Sequence, residues 1–249
     1  MIDIIIPHTN ADEYRRRNLF FIIRYYKEYL PESNIILVEQ NTETDITELS
    51  ELVHLHMKIK TTEPLFCKSY LLNEGYNAGT NKYIIFADTD CAVDRNIMSS
   101  INSLLPNLDT HVILPYNRPV INLTETQTLQ LIANHKTFNY GDMGLISRGF
   151  ISNGGVVMIS SENYYKIGGH DPRFIGWGGE DDSFYIKSER VIGLRRLNAT
   201  LFHLNHPKNT HGRDSNPHYS TNYNLYRDYA TKDNQQIINA VGFSHLIKR

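Results

Sequence analysis

Tyr83-Ile84-Ile85-Phe86-Ala87-Asp88-Thr89-Asp90 is the stretch that decides the fold. Five successive apolar or aromatic residues make a strand buried on both faces, and the run passes straight into two carboxylates one residue apart. Upstream, Ile2-Asp3-Ile4-Ile5-Ile6-Pro7 and Asn34 to Glu39 (NIILVE) read as strands of the same kind. Between them, Leu19, Ile22, Ile23 and Tyr26 recur at spacings of three and four within a helix over 12–30. A short helix over 45–52, a weaker strand over 53–60 and a helix from Phe66 to Ala78 follow, the last stopped by Gly79 in the left-handed conformation. A helix from Asp94 to Leu105 and a strand from His111 to Pro115 extend the alternation. This pattern predicts an α/β fold with a mostly parallel central sheet and helices on both faces. Ligands of open sheets bind beyond the carboxyl ends of strands, where Asp88 and Asp90 stand.

The second half is less regular. Residues 138–155 are rich in Gly, Ser and Asn, as suits a substrate-lining loop. A strand from Val156 to Ser160, a helix from Glu162 to Ile167, a helix from Asp181 to Val191 and a strand from Arg195 to Leu201 are expected, with a polar helical region from Tyr219 onward. An acceptor lid, a partner surface and a packed helix all suit that last region. With no linker or internal repeat, the 249 residues read as one domain.

Composition narrows the function. Hydrophobic residues at 41% and charged residues at 21% are ordinary for a soluble globular chain. A net charge of −2 leaves no basic footprint for nucleic acid. Cys67 and Cys91 form neither a CxxC pair nor a disulfide framework, and read as buried thiols of a reducing compartment. No signal-like segment and no run of about 18 apolar residues occurs, so a cytoplasmic protein without a transmembrane helix is expected.

Three segments carry chemistry. Asp88-Thr89-Asp90 aims two carboxylates at one place, as a divalent cation needs when a diphosphate must be stabilised on leaving; the plain alternative is that Asp simply starts turns. Gly176-Trp177-Gly178-Gly179-Glu180-Asp181-Asp182 joins a mobile glycine backbone, an aromatic face for a sugar ring and three acids at a helix start. One acid would satisfy the helix dipole. Three repel one another, which raises the pKa of at least one and suits a general base. Phe202-His203-Leu204-Asn205-His206-Pro207, with His211 beyond, puts two histidines three apart after a strand, able to converge on one metal.

Taken in order, these segments resemble the β-1,4-galactosyltransferase family (glycosyltransferase family 7) and the catalytic domains of chondroitin-type polymerases in family 2. Ile4-Ile5-Ile6-Pro7 with Asn10, Arg15-Arg16-Arg17-Asn18-Leu19 and Val38-Glu39-Gln40 are similar to the family's opening. Phe66 to Tyr76 resembles its "FNRAKLLNVGF", Asn153-Gly154-Gly155-Val156 its "FGGV", and Gly176 to Asp182 its "GWGGEDD". The resemblance implies a GT-A fold, with a nucleotide-binding half over 1–115, an acceptor and catalytic half over 116–213 and a helical extension over 214–249. It implies an inverting enzyme with Mn2+ (or Mg2+) held by Asp90, His203 and His206, and Asp88 nearer the ribose or donor sugar. Pro7, His8 and Asn10 would line the uracil and ribose pocket, joined by Arg15 or Arg17 at the phosphates. Asp181 would be the base, with Glu180 and Asp182 orienting hydroxyls and Trp177 on a closing loop. The substrates implied are a UDP-sugar donor and a saccharide or glycan-polymer acceptor.

Departures from the family bear on specificity. Lys68 replaces an Arg, turning a planar fork into a point charge. Ser152-Asn153 replaces an aromatic pair, leaving room for an N-acetyl group, so Gal, GalNAc and GlcNAc all stay open as donor sugars. The Golgi enzymes' anchor and disulfide cysteines have no counterpart, which points to a bacterial or viral enzyme of polysaccharide synthesis. A nucleotidyltransferase would need a Gly- and Arg-rich phosphate loop where Pro7-His8-Thr9-Asn10 stands. A non-catalytic carbohydrate-binding module would have no use for the DxD, the histidines and the acids together.

Overall fold

The computed structural model describes residues 1–9, 12–117, 119–138, 146–147, 149, 151–207 and 215–248. Strand β1 (Ile2–His8) is buried along its whole length and lies parallel between β2 (Asn34–Gln40) and β4 (Tyr83–Ala87). Helix α1 (Glu13–Tyr29) joins β1 to β2, its N-terminus capped by the Asp12 carboxylate accepting from the Arg15 amide at 2.8 Å. Its inward face holds Leu19, Ile22, Ile23 and Tyr26, the stripe read from their spacing. A single 3-10 turn (Thr47–Leu49) stands where a short helix was expected, and β3 (Leu55–Ile59) closes that edge of the sheet.

Helix α2 (Lys68–Ala78) presses on the sheet at Gly75, where a Cβ would come within 2.3 Å of Ile5 Cγ2. The helix does not stop as expected. Gly79 is extended (φ −73°, ψ 167°), because the following amides of Thr80 and Asn81 both donate to the buried Asp3 carboxylate at 2.8 Å. With that acceptor in place, no left-handed residue is needed to turn the chain into β4.

After β4 the chain makes β5 (Cys91–Val93) and then α3 (Arg95–Met98), α4 (Ile101–Leu104) and a 3-10 turn (Leu105–Asp109) instead of one continuous helix. Strand β6 (Val112–Leu114), the short β7 (Ile121–Asn122), helix α5 (Glu125–Asn134) and β8 (Ile146–Ser147) lead to β9 (Val156–Ser160) and α6 (Ser161–Lys166). Helix α7 (Glu180–Val191) precedes β10 (Leu194–Arg196) and β11 (Leu201–His203). The large sheet runs β10-β6-β9-β4-β1-β2-β3, with β9 antiparallel to both neighbours and the other pairs parallel. A second sheet runs β5-β11-β7-β8.

The single strand expected over 195–201 is two strands in different sheets. Leu197 N still donates to Leu114 O of the large sheet at 3.0 Å, whereas Thr200 O already accepts from Asp94 N at 3.1 Å beside β5. The crossing between sheets breaks the strand. Helices α8 (Tyr219–Thr231) and α9 (Asn234–Val241) then pack against α7 through Phe174, Tyr229 and Ile237, and Arg190 caps the carbonyls of Tyr229, Ala230 and Lys232 at 3.0–3.1 Å. Both cysteines are free and buried, as read from the sequence. Among the described residues no helix is long and apolar enough to cross a membrane.

Candidate active site

Strand β4 delivers Asp88 and Asp90 into a turn at its carboxyl end, and β5 leaves that turn at once. Antiparallel pairing of β5 with β11 sets His203 opposite Cys91. Leu204 N then donates to Asp90 O at 2.7 Å, and the chain curls His206 back over the carboxylate. Asp90 Oδ2 lies 3.0 Å from His206 Nε2, 3.8 Å from His203 Nε2 and 3.8 Å from Arg15 Nη1. One donor atom each from Asp90, His203 and His206 fall within 4.8 Å of one another, and Asp88, Asp90 and Cys91 make a second such group. A carboxylate with two imidazoles is a donor set that suits a divalent transition ion.

The His206 loop is fixed from behind. Asn205 O accepts from Asn18 Nδ2 at 3.0 Å and Arg17 Nη2 at 3.1 Å, and Asn205 N donates to Thr128 Oγ1 at 2.8 Å. His206 Nδ1 faces Pro207 O at 2.7 Å and Arg15 Nη2 at 3.0 Å. A proton on Nδ1 is donated to Pro207 O and frees Nε2 for a metal ion, whereas a proton on Nε2 is donated to Asp90 and lets Nδ1 accept from Arg15. Burial alone would raise the Asp90 pKa, but His203, His206 and Arg15 outweigh it and hold the group well below the usual carboxylate range.

Lys68 joins this half to the acids of α7. Its Nζ lies 2.9 Å from an Asp88 oxygen and 3.0 and 3.3 Å from the two oxygens of Asp181. Burial works against the Lys68 charge, yet Asp181, Asp88 and Glu180 together raise its pKa well above the ordinary value. Burial, helped by Asp181 and Asp90 and opposed by Lys68, pushes Asp88 up to about 6. Burial and the neighbouring Asp181 push Glu180 up to about 7, again against Lys68. The repulsion expected within the acidic triplet is therefore present, and it falls on Glu180. Gly179 enters α7 with φ 88°, and Glu180 Oε2 accepts from the Gly178 amide at 3.1 Å.

The Asn153–Gly155 stretch backs the acids. Asn153 Nδ2 donates to Asp182 Oδ1 at 2.7 Å, and Arg196 donates to Ser152 O at 2.9 Å and to Asn153 Oδ1. A Cβ on Gly154 would overlap the Asp181 carboxylate, so the backbone of Gly154 is the surface on which Asp181 rests. Tyr116, not singled out in the sequence, donates its hydroxyl to Gly154 O. Gly155 O accepts from the Asp88 amide at 2.8 Å, tying this stretch to the DxD turn.

The remaining expected residues sit as follows. Pro7 and His8 are buried at the end of β1. Burial lowers His8 to about 4 despite the nearby Glu39, and its Nε2 has no hydrogen-bond partner. Arg15 is turned toward Asp90 and His206, and Arg17 pairs with Glu125. Asn10, His211 and Asp214 lie outside the described residues. Trp177 is 54% exposed, and its loop is held by two asparagine side chains. Asn216 donates to the carbonyls of Ile175 and Trp177 at 3.2 and 2.8 Å, and Asn222 to that of Ile175 at 2.9 Å.

Comparisons with known proteins bear on this arrangement. The structure superposes on Staphylococcus aureus TarS, crystallised with UDP-GlcNAc, with a TM-score of 0.60 at 11% identity, over 96% of this chain and 71% of that one. It also superposes on GalNAc-T7, crystallised with UDP, GalNAc and Mn2+, with a TM-score of 0.53 at 14% identity, over 97% and 57%. At such identities the likeness is one of fold, and the fold is GT-A. Residues 136–210 match the family described as the N-terminal domain of galactosyltransferase. The xylosylprotein 4-beta-galactosyltransferase of Caenorhabditis elegans is 26% identical over 223 residues, covering 84% of this chain. The chain spans 65% of the length of that curated relative. In sequence the chain is thus similar to galactosyltransferases, and its fold is GT-A.

Proposed function

We propose that this chain is an inverting, metal-dependent glycosyltransferase that moves a hexose or N-acetylhexosamine from a UDP-sugar to a hydroxyl of a saccharide or glycan-polymer acceptor. The observation that carries this reading is the meeting of three distant segments at the end of β4. Asp90, His203 and His206 face one point, and Lys68 bridges Asp88 to Asp181 across 2.9 and 3.0 Å.

The three metal-facing side chains would hold Mn2+, which would supply Lewis-acid stabilisation of the departing diphosphate; two imidazoles fit Mg2+ less well. Arg15, beside both Asp90 and His206, is within reach of a diphosphate bound at that point. Asp181 takes the proton of the acceptor hydroxyl as its oxygen attacks the anomeric carbon from the face opposite the leaving group, which inverts the configuration. Lys68 holds Asp181 in register with the nucleotide side, and the Gly154 backbone fixes its other flank. Glu180, neutral up to about pH 7, serves as a hydrogen-bond donor to a sugar hydroxyl while Asp181 stays the acceptor. Asn153, drawn aside by Asp182 and Arg196, leaves the donor pocket open to an N-acetyl substituent as well as to galactose. Trp177 closes over the loaded site and keeps water from the donor.

Titration calorimetry of UDP with and without Mn2+, beside the Asp90→Ala variant, tests the core of this reading. UDP binding that requires Mn2+ and disappears in Asp90→Ala is the expected result. Metal-independent UDP binding, or none, overturns it and favours a non-catalytic sugar-binding module.

A further inference from the structure

The Trp177 loop does not end in solvent. Its indole lies nearly parallel to the ring of Tyr219, with centroids 6.0 Å apart and an interplanar angle of 11°. Tyr219 lies nearly parallel to Tyr223 at 6.4 Å and 16°, and Tyr226 continues the row at 6.4 Å with a steeper tilt of 42°. The three tyrosines fall at i, i+4 and i+7 of α8, so one helix face carries them all. That face borders the packing face: Tyr219 and Tyr226 are half-buried and lie against Gly178 and Gly179. Asn222 and Tyr229 are the buried residues of α8, whereas Tyr223 is 49% exposed and Trp177 54%. Folding accounts for the half-buried rings of Tyr219 and Tyr226 and leaves the exposed rings of Trp177 and Tyr223 unexplained.

We propose that Trp177, Tyr219, Tyr223 and Tyr226 form a binding platform for the extended part of a neutral glycan acceptor, leading it away from the site of transfer. This rests on the transferase reading, because the row starts three residues before Glu180 and runs outward along α8. Two observations select the occupant. Flat rings bearing hydroxyls match sugars, whose apolar C–H faces stack on aromatics while their hydroxyls find polar tips. The charge of α8 is balanced, with Arg227 and Asp228 adjacent, so the surface offers no cationic field to an anionic polymer. The platform is also tied to the loop. Asn222, on the inner side of the same helix, bonds the Ile175 carbonyl at 2.9 Å, so a chain stacked on α8 is registered against the acids of α7.

The protein has one tryptophan, so its intrinsic fluorescence reports from the head of this row. Wild type and Tyr223→Ala are titrated with xylo-, cello- and chito-oligosaccharides of increasing length, in the presence of UDP and Mn2+. The expected result is a saturable Trp177 response whose Kd falls about tenfold from monosaccharide to tetrasaccharide in at least one series. Tyr223→Ala removes that gain without changing the monosaccharide Kd, and Tyr223→Phe keeps it. No saturable response in any series, a Kd independent of chain length, or a Tyr223→Ala protein with the full gain overturns the proposal. Calorimetric titration of UDP and Mn2+ on the same samples separates the two failures. UDP binding without a length gain removes the platform alone, and a length gain without UDP binding removes the transferase reading and leaves a glycan-binding surface.

Discussion

Replacing Gly154 by Ala isolates the placement of Asp181 from every other property of the site. The backbone of Gly154 lies outside the left-handed region, so alanine fits its conformation. The new methyl would stand 1.8 Å from Asp181 Oδ2 and 2.2 Å from its Cγ, where ordinary contact begins at 3.4 Å. The difference, 3.4 minus 1.8, requires the carboxylate to retreat by about 1.6 Å. A retreat of that size takes it off the Lys68 ammonium and away from an acceptor hydroxyl. Misplacement by about 1 Å is enough to cost on the order of 100-fold in rate. The expected result is a kcat lowered at least 100-fold with UDP–Mn2+ affinity close to wild type, since the methyl's nearest neighbours are the atoms of Asp181, and a melting temperature lowered by loss of the Asp181–Lys68 pair. The assay is initial-rate transfer from the preferred UDP-sugar beside calorimetry and thermal denaturation. A Gly154→Ala enzyme within about threefold of wild-type kcat would refute the role given to Asp181.

Two further predictions concern the charges around it. Lys68→Met leaves Asp88 and Asp181 facing each other without their shared cation; the expected loss is about 2–3 kcal/mol by chemical denaturation at pH 8, below the figure for a fully buried pair because both carboxylates stay partly exposed. That loss should shrink at pH 5, where Asp88 is already protonated, and an equal loss at both values would count against it. Glu180 has a folded pKa near 7 against an unfolded value of 4.5, so the folded state keeps a proton that the unfolded state has released. Its contribution therefore destabilises progressively as pH rises from about 4.5 through 7, and Glu180→Gln should be more stable than wild type at pH 8 by about 1–3 kcal/mol and equal to it at pH 4. A variant no more stable at pH 8 would show that Glu180 is ordinary.

Where the chain repeats its pattern over many residues, the sequence was a sufficient guide. The β1, β2 and β4 runs and the Leu19–Tyr26 stripe of α1 needed no tertiary knowledge, because continuous burial and helical period are local signals. The three-residue strands β5 and β11 had no such signal, yet their pairing brings His203 to Asp90. Only resemblance linked those residues beforehand. Gly79 misled because its stop depends on Asp3, 76 positions earlier in the chain. Asn222 and Tyr116 act through backbone carbonyls, which leave no trace in residue type. The tyrosines of α8 were visible at helical spacing, but spacing alone does not say which face of a helix is covered.

The place of β9 in the large sheet limits how this protein can be recombined. By position in the chain β6 accompanies the nucleotide-side strands, yet its neighbours in the sheet are β9 and β10, and β9 also covers the outer edge of β4. A chimera cut after residue 115 would carry β6 away from both neighbours and leave β4 with an open edge. Trading front halves at that point with a relative would thus yield aggregation before it yielded a folded hybrid. A seam ahead of β6 keeps β6, β9 and β10 together with the acids of α7 and leaves β4–β9 as the pairing to re-form across it. The strand that leads into Asp88 and the strands that travel with the acids of α7 thus have to match each other in any hybrid.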